Sequence, residues 1–164
     1  MINLQKAGGI AALVLATAYI VGFIVMATLL NPGTVEGWSK AQKLAFTLDR
    51  KALYQSWMIF IYVVAGAFLV VLSVALHEWL KVASDDLMKV TTPFGLIWAG
   101  LVIASGMVAI VGTEVVARLH GSDVPLAVST SQAINAIHEG LGGGVEFVGG
   151  LWVLLIGVAA LHSR

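Results

Sequence analysis

The chain has 164 residues, of which 59% are hydrophobic and only 11% charged, against about 25% charged in a typical soluble domain; its mean hydropathy is +0.96. Nine basic residues balance nine acidic ones, so no positive field argues for nucleic acid as a partner. The absence of cysteine excludes disulfides, iron–sulfur ligation, thiolate catalysis and covalent c-type haem, and the surplus apolar surface makes a lipid bilayer the expected surroundings.

Hydropathy predicts an all-α integral membrane protein, a four-helix bundle with spans at about 8–30, 57–76, 94–117 and 143–162. No charge falls between Lys6 and Glu36, a run too long for a signal-peptide core of about 7–15 residues. It reads as an uncleaved first span. Gly8, Ala12 and Ala16 recur every fourth residue, the spacing that lets membrane helices approach closely, and Asn31-Pro32-Gly33 ends the span.

The linker that follows opens with Ser39-x-x-Gln42, a capping-box pattern. Apolar and basic residues then mix over about 39–53, which predicts an amphipathic helix on the bilayer surface. It is read either as a binder of anionic lipid or as a solvated connector. In the second span Tyr54, Trp57 and Tyr62 suit the aromatic belt at one interface, with Trp79 at the other. A linker from His77 to Thr92 returns the chain, and Thr92-Pro93 is the expected start of the third span, Thr capping and Pro at the first helical position. Gly100 and Ala104 repeat the small-residue spacing. Glu114 and Arg118 stand four apart in the favourable order for an ion pair. Ser129-x-x-Gln132 reads as a second capping box, opening an amphipathic helix over about 129–141.

The two boxes are offset by 90 residues, and the same offset pairs Asp49 with Glu139. Each half reads span, turn, capped helix, span, which predicts two parallel two-span repeats. Four spans place both termini on one side. The third linker carries a single basic residue, Arg118, which favours the outside for that linker and the cytoplasm for the termini.

The chemistry concentrates at the mouth of the last span. The charge-free run from Phe147 to Ser163 is 17 residues, short for a crossing, so a full span draws Glu146 about one turn into the apolar slab. A carboxylate there costs a few kcal/mol unless protonated, paired or facing a cavity. Glu139, Gly143, Glu146 and Gly150 would form one seam on an unbroken helix; alternatively the glycines break the helix and a new half-helix starts near Val145. Glu146, Glu139, His138, Glu114 and Arg118 fall at one membrane face and form the candidate site. Two acids and a histidine would suit a cationic ligand, a proton relay or a divalent metal; the plainer reading pairs Arg118 with Glu114 or Glu146. No H-E-x-x-H spacing is present. His77 and His162 both end spans on the terminal side and are the candidate axial ligands should a b-type haem bind.

The opening Leu4-Gln5-Lys6-Ala7-Gly8-Gly9-Ile10-Ala11-Ala12-Leu13 with Val21-Gly22-Phe23, and the closing His138-Glu139-Gly140 through Glu146-Phe147-Val148-Gly149-Gly150-Leu151-Trp152-Val153, resemble a family of uncharacterised bacterial four-span membrane proteins. That resemblance implies the architecture and a bacterial inner membrane, and no activity. The leading expectation is a non-enzymatic module that binds a ligand or a partner protein through the acidic mouth, as an oligomer. The alternative is a proton- or ion-coupled transport unit using Glu146, and the third a haem or metal-dependent membrane enzyme.

Overall fold

The computed structural model describes residues 3–143 and 146–162, which are all-helical and contain no strand. Gly144, Val145 and Ser163, which enter the reading above, lie outside the described residues.

Helix α1 (Leu4–Thr28) starts where the Asn3 side chain accepts the Gln5 N–H at 3.0 Å. Past its end, Asn31 accepts the Gly33 N–H at 2.9 Å, and Gly33 sits at φ +76°, a left-handed position that turns the chain. The expected capping box at α2 (Lys40–Asp49) forms in full: Gln42 N–H donates to Ser39 Oγ at 3.2 Å and Ser39 N–H to Gln42 Oε1 at 2.8 Å.

After a one-residue break at Arg50, α3 (Lys51–Met58) runs through a π-helical turn (Ile59–Val64) into α4 (Ala65–His120). The only non-helical residue inside α4 is Ser84, at φ −145° and ψ 51°. There the chain doubles back, giving a first limb (residues 65–83) and a second (residues 85–120). The pairs that meet across the hairpin are Tyr62 with Gly106, Gly66 with Ile103, Ser73 with Gly95, and His77 with Thr92. All are symmetric about position 84, as antiparallel packing requires. Glu78 with Lys81 and Asp85 with Lys89 bridge locally around this corner, each at 2.7 Å. The lysine hydrogen bonds hold both carboxyls below the usual carboxylate range.

Thr92-Pro93 does not start a helix. Pro93 sits inside α4 and the Thr92 hydroxyl lies 2.8 Å from His77 Nδ1, spent on the neighbouring limb instead of on a cap. Likewise α5 (Val124–His138) is capped by Asp123, which accepts the Leu126 N–H at 2.9 Å, with Pro125 in the first turn. Ser129 is therefore already helical, and its hydroxyl donates to Leu126 O at 3.0 Å. The second box does not stand at a helix start, and the 90-residue match of caps fails with it. The element order of the two halves still corresponds, and α2 packs against α5.

A second π-helical turn (Glu139–Gly143) follows α5, with Gly142 at φ +116°, and α6 (Phe147–His162) completes the chain. Both α5 and α6 run antiparallel to the second limb: Ile134 meets Gly112, Trp152 meets Gly95, and Trp98 meets Gly149. The start of α1, beside Ala75, and the end of α6, beside Leu80 and Met88, both lie at the Ser84 corner.

Packing depends on bare backbone. A Cβ on Gly22, Gly66, Gly106 or Gly112 would collide with Ile61, Ile103, Tyr62 or Ile134 respectively. The buried seam of α1 is Gly8, Ala11, Ala18 and Gly22, with Leu15 against the central cluster. Steps alternate three and four, the pattern of helices crossing at a shallow angle. Ala12 and Ala16 face outward, as does Gly100. The central cluster is Leu69, Ala99, Val102 and the indoles of Trp98 and Trp152, whose ring centroids are 5.6 Å apart. Thr28, Thr91 and Thr113 return their hydroxyls to the carbonyl four residues back, which satisfies them without a partner helix.

We expect Gly106→Val to lower unfolding stability by about 1–3 kcal/mol. Gly100→Val, with open space around it, should be close to neutral; thermal unfolding in detergent micelles separates the two.

Candidate functional site

Two π-helical turns, uncommon in helices and frequent at functional sites, lie at one level of the bundle. The first carries Tyr62; the second follows His138 directly. Between them stands Ser105 of the second limb. It is fully buried, and His138 is 8% exposed.

Their hydrogen bonds determine the tautomer. Ser105 Oγ donates to the His138 carbonyl oxygen at 2.8 Å. His138 Nδ1 lies 2.7 Å from Ser105 Oγ and 3.1 Å from Ser105 O. A carbonyl oxygen only accepts, so Nδ1 carries the proton and shares it between the two oxygens. We assign the neutral ring as the Nδ1–H tautomer, with its Nε2 lone pair available. The Tyr62 ring meets the imidazole edge-on, centroids 4.9 Å apart.

Glu146 lies one helix break further on. Its carbonyl accepts the Gly150 N–H at 2.9 Å, so it occupies the cap position of α6, and the helix is broken as the second sequence reading anticipated. The continuous seam of Glu139, Gly143, Glu146 and Gly150 is not formed, because Gly142 in a left-handed conformation interrupts it. Glu139 and Gly150 are exposed. Glu146 lines a cavity of about 270 Å³ together with Tyr19, Gly22, Phe23 and Met26 of α1, Trp57, Ile61, Tyr62 and Val102. Trp57 is fixed there by its indole N–H, which donates to Gly22 O at 2.9 Å. Thus Trp57 and Tyr62 are turned toward the bundle and partly buried, whereas Trp79 is 60% exposed. Among the described residues no cationic side chain lies within ion-pair distance of Glu146.

Glu114 does not share this cavity. It binds Lys51 at 3.0 Å and accepts the Gln55 amide at 2.9 Å, about two and a half turns of helix beyond Ser105, and Arg118 is exposed a further turn on. The expected pairing of Arg118 with Glu114 or Glu146 gives way to Lys51–Glu114, because the hairpin places Lys51 directly across from Glu114. The candidate set therefore divides: His138 is buried at the centre, Glu146 lines the neighbouring cavity from an exposed position, Glu139 is exposed outside it, and Glu114 and Arg118 belong to one end.

His77 Nδ1 is engaged by Thr92, and His162 is exposed in the last turn of α6. The antiparallel register sets His162 opposite Asp85, while Thr92 marks the level of His77, an axial offset of about 10 Å at 1.5 Å per residue. Axial haem ligands share one level, so this pair does not fit a haem. Among the described residues no three His, Asp or Glu side chains converge as a metal would need.

Sequence reasoning missed four contributors. Tyr19 carried no signal. Tyr62 and Trp57 were assigned to an interface. Ser105 was visible only as a lone hydroxyl in an apolar run.

No family model, curated protein or solved structure matches this chain.

The Ser105–His138 pair generates a direct expectation. Nitrogen-15 spectra of the neutral histidine should show the Nδ1–H form. Ser105→Ala should cost about 1–3 kcal/mol of unfolding stability by stranding buried partners.

Proposed function

We propose that this chain is a membrane-embedded, non-enzymatic binding module whose ligand is a small, largely apolar organic cation held at Glu146. The observation that carries the reading is a carboxylate with no cationic partner among the described residues, set in a cavity walled by four aromatic side chains, Tyr19, Phe23, Trp57 and Tyr62. Rings supply cation–π attraction, the carboxylate supplies the counter-charge, and the rest of the lining is apolar.

Helix lengths support membrane placement. Three helical stretches are long and apolar enough to cross a bilayer: Leu4–Thr28, Lys51–His120 and Val124–His162. The second is folded double at Ser84, which yields four spans in an antiparallel bundle. Lys51 and Glu78 are about 40 Å apart along the first limb and its α3 extension at 1.5 Å per residue. That equals the thickness of a bilayer with its headgroups, and the charge-free stretch between is more than long enough for the core of about 30 Å. Outward faces are apolar throughout: Leu13 is 71% exposed, Phe23 64%, Val111 60% and Leu154 62%.

In that frame α6, 16 residues and about 24 Å long, is too short to cross. The break before it therefore falls inside the slab. Val102, which shares the Glu146 cavity, lies midway between Lys89 and Glu114, so Glu146 is at mid-depth, deeper than one turn. An ionised carboxylate there costs about 3 kcal/mol on insertion scales, and a bound cation offsets that cost. The resemblance of both chain ends to a bacterial four-span family supports a bacterial inner membrane, with both termini on the cytoplasmic side.

A proton- or ion-coupled transporter is the second reading, favoured by the discontinuous fourth span with its acid at mid-depth, a recurrent layout for coupling sites.

The test is binding of tetraphenylphosphonium to the purified protein in neutral detergent. Saturable binding is expected, with Glu146→Gln weakening it at least about tenfold, equivalent to 1.4 kcal/mol. Equal affinity in the variant would remove the carboxylate from the function. In proteoliposomes, uptake driven by a proton gradient and lost in Glu146→Gln would select the transport reading.

A further inference from the structure

A second cavity, of about 350 Å³, opens where α2 packs on α5 over the second limb. It lies apart from the Glu146 site and shares no residue with it. Its rim carries Lys40 and Lys43 from α2 and Ser131, Gln132 and Asn135 from α5; its lining contains no Asp or Glu. Every other lysine between α2 and α5 is neutralised: Lys51 by Glu114, Lys81 by Glu78, Lys89 by Asp85 and Asp86. Lys40 and Lys43 form no ion pair among the described residues, and the first turn of α2 holds no acid. The helix N-terminus adds its own partial positive charge. Thr47 and Thr113, also in the lining, donate their hydroxyls to their own helices; the other neutral donors of the lining are the amides of Gln132 and Asn135 and the hydroxyls of Ser131 and Tyr54.

Beneath this rim the floor is apolar. Leu44, Leu48, Val116, Val128 and Ile134 belong to one cluster, and Gly112 keeps the floor low. The cavity follows the second limb from Val116 inward to Ala109, about 10 Å along the helix at 1.5 Å per residue. It starts at the level of the Lys51–Glu114 pair and descends toward the apolar middle. Positive and amide donors at the top with an apolar slot below match an anionic head on a hydrocarbon tail.

We propose that the α2–α5 cleft binds an anionic amphiphile, a phosphate or carboxylate head with an acyl chain, through Lys40, Lys43 and Gln132. The clustering of polar letters from Ser129 to Asn135, which resembles a cap, is on this account the second wall of a binding site.

Isothermal titration of the purified protein in a neutral maltoside detergent tests this, with dihexanoyl phosphatidic acid as the probe. Saturable binding is expected, and Lys40→Gln/Lys43→Gln should weaken it at least tenfold. Gln132→Leu, which changes no charge, should weaken it about three- to tenfold and so separates a built cleft from a generic basic surface. Unchanged melting temperature in each variant establishes folding. Dihexanoyl phosphatidylcholine should bind at least tenfold more weakly, and inorganic phosphate should not compete. Equal binding of phosphatidylcholine would overturn the anion assignment. Competition by phosphate would overturn the amphiphile. Insensitivity to Gln132→Leu would overturn the cleft.

Discussion

Close approach of helices at bare glycine backbone is the constraint on which this molecule depends. In lipid, two apolar helices gain nothing by leaving solvent, since the tails around them are as apolar as leucine. What remains is contact density, and contact density rises as the axes come closer. Each major interface here contains a residue without a side chain where a neighbour inserts one: Ile61 over Gly22, Ile103 over Gly66, Tyr62 over Gly106, Ile134 over Gly112 and Trp98 over Gly149. The hairpin at Ser84 sets which of these pairs can meet, because it fixes the register of the two long limbs.

The same register builds the centre. It sets Tyr62 and Ser105 at one height, and the return path of α5 brings His138 to that height from the third direction. Two π-helical turns there loosen the regular ladder and re-aim side chains that an unbroken α-helix would direct elsewhere. Gly142 then permits the break that ends one half-helix and starts another, and Glu146 takes the cap position at the second start. A buried histidine held through its Nδ1, followed by an acid with no cationic partner among the described residues, is a costly arrangement for a fold to maintain.

Much of this architecture was legible from hydropathy and turn chemistry. The capping box at Ser39 formed as read, because both its partners are local. The failures were of two kinds. Local signals lost to stronger local signals: Asp123 and Pro125 start α5 before Ser129 can, and Ala11 and Ala18, not Ala12 and Ala16, lie inward because the seam steps by three and four. Long-range geometry was invisible: Glu114 chooses Lys51 across the hairpin over Arg118 on its own face, and Thr92 serves His77 instead of a cap. For the candidate site, the sequence singled out His138 and Glu146 as polar residues in apolar surroundings, whereas Tyr19 and Ser105 join them only through tertiary register.

One wall of the Glu146 cavity belongs to α1, whose outer side is apolar from Leu13 to Met26 and which reaches α2 only through an irregular segment. Its hold on the first limb is a stripe of small residues and one indole-to-carbonyl hydrogen bond from Trp57. Such a helix is built like a door leaf: swinging it a few ångströms would cost a few dispersion contacts and one hydrogen bond and would open the cavity sideways. For the cation proposed at Glu146, the route to the acid would be lateral, and the hinge strength of α1, more than the depth of the pocket, would govern how long it stays.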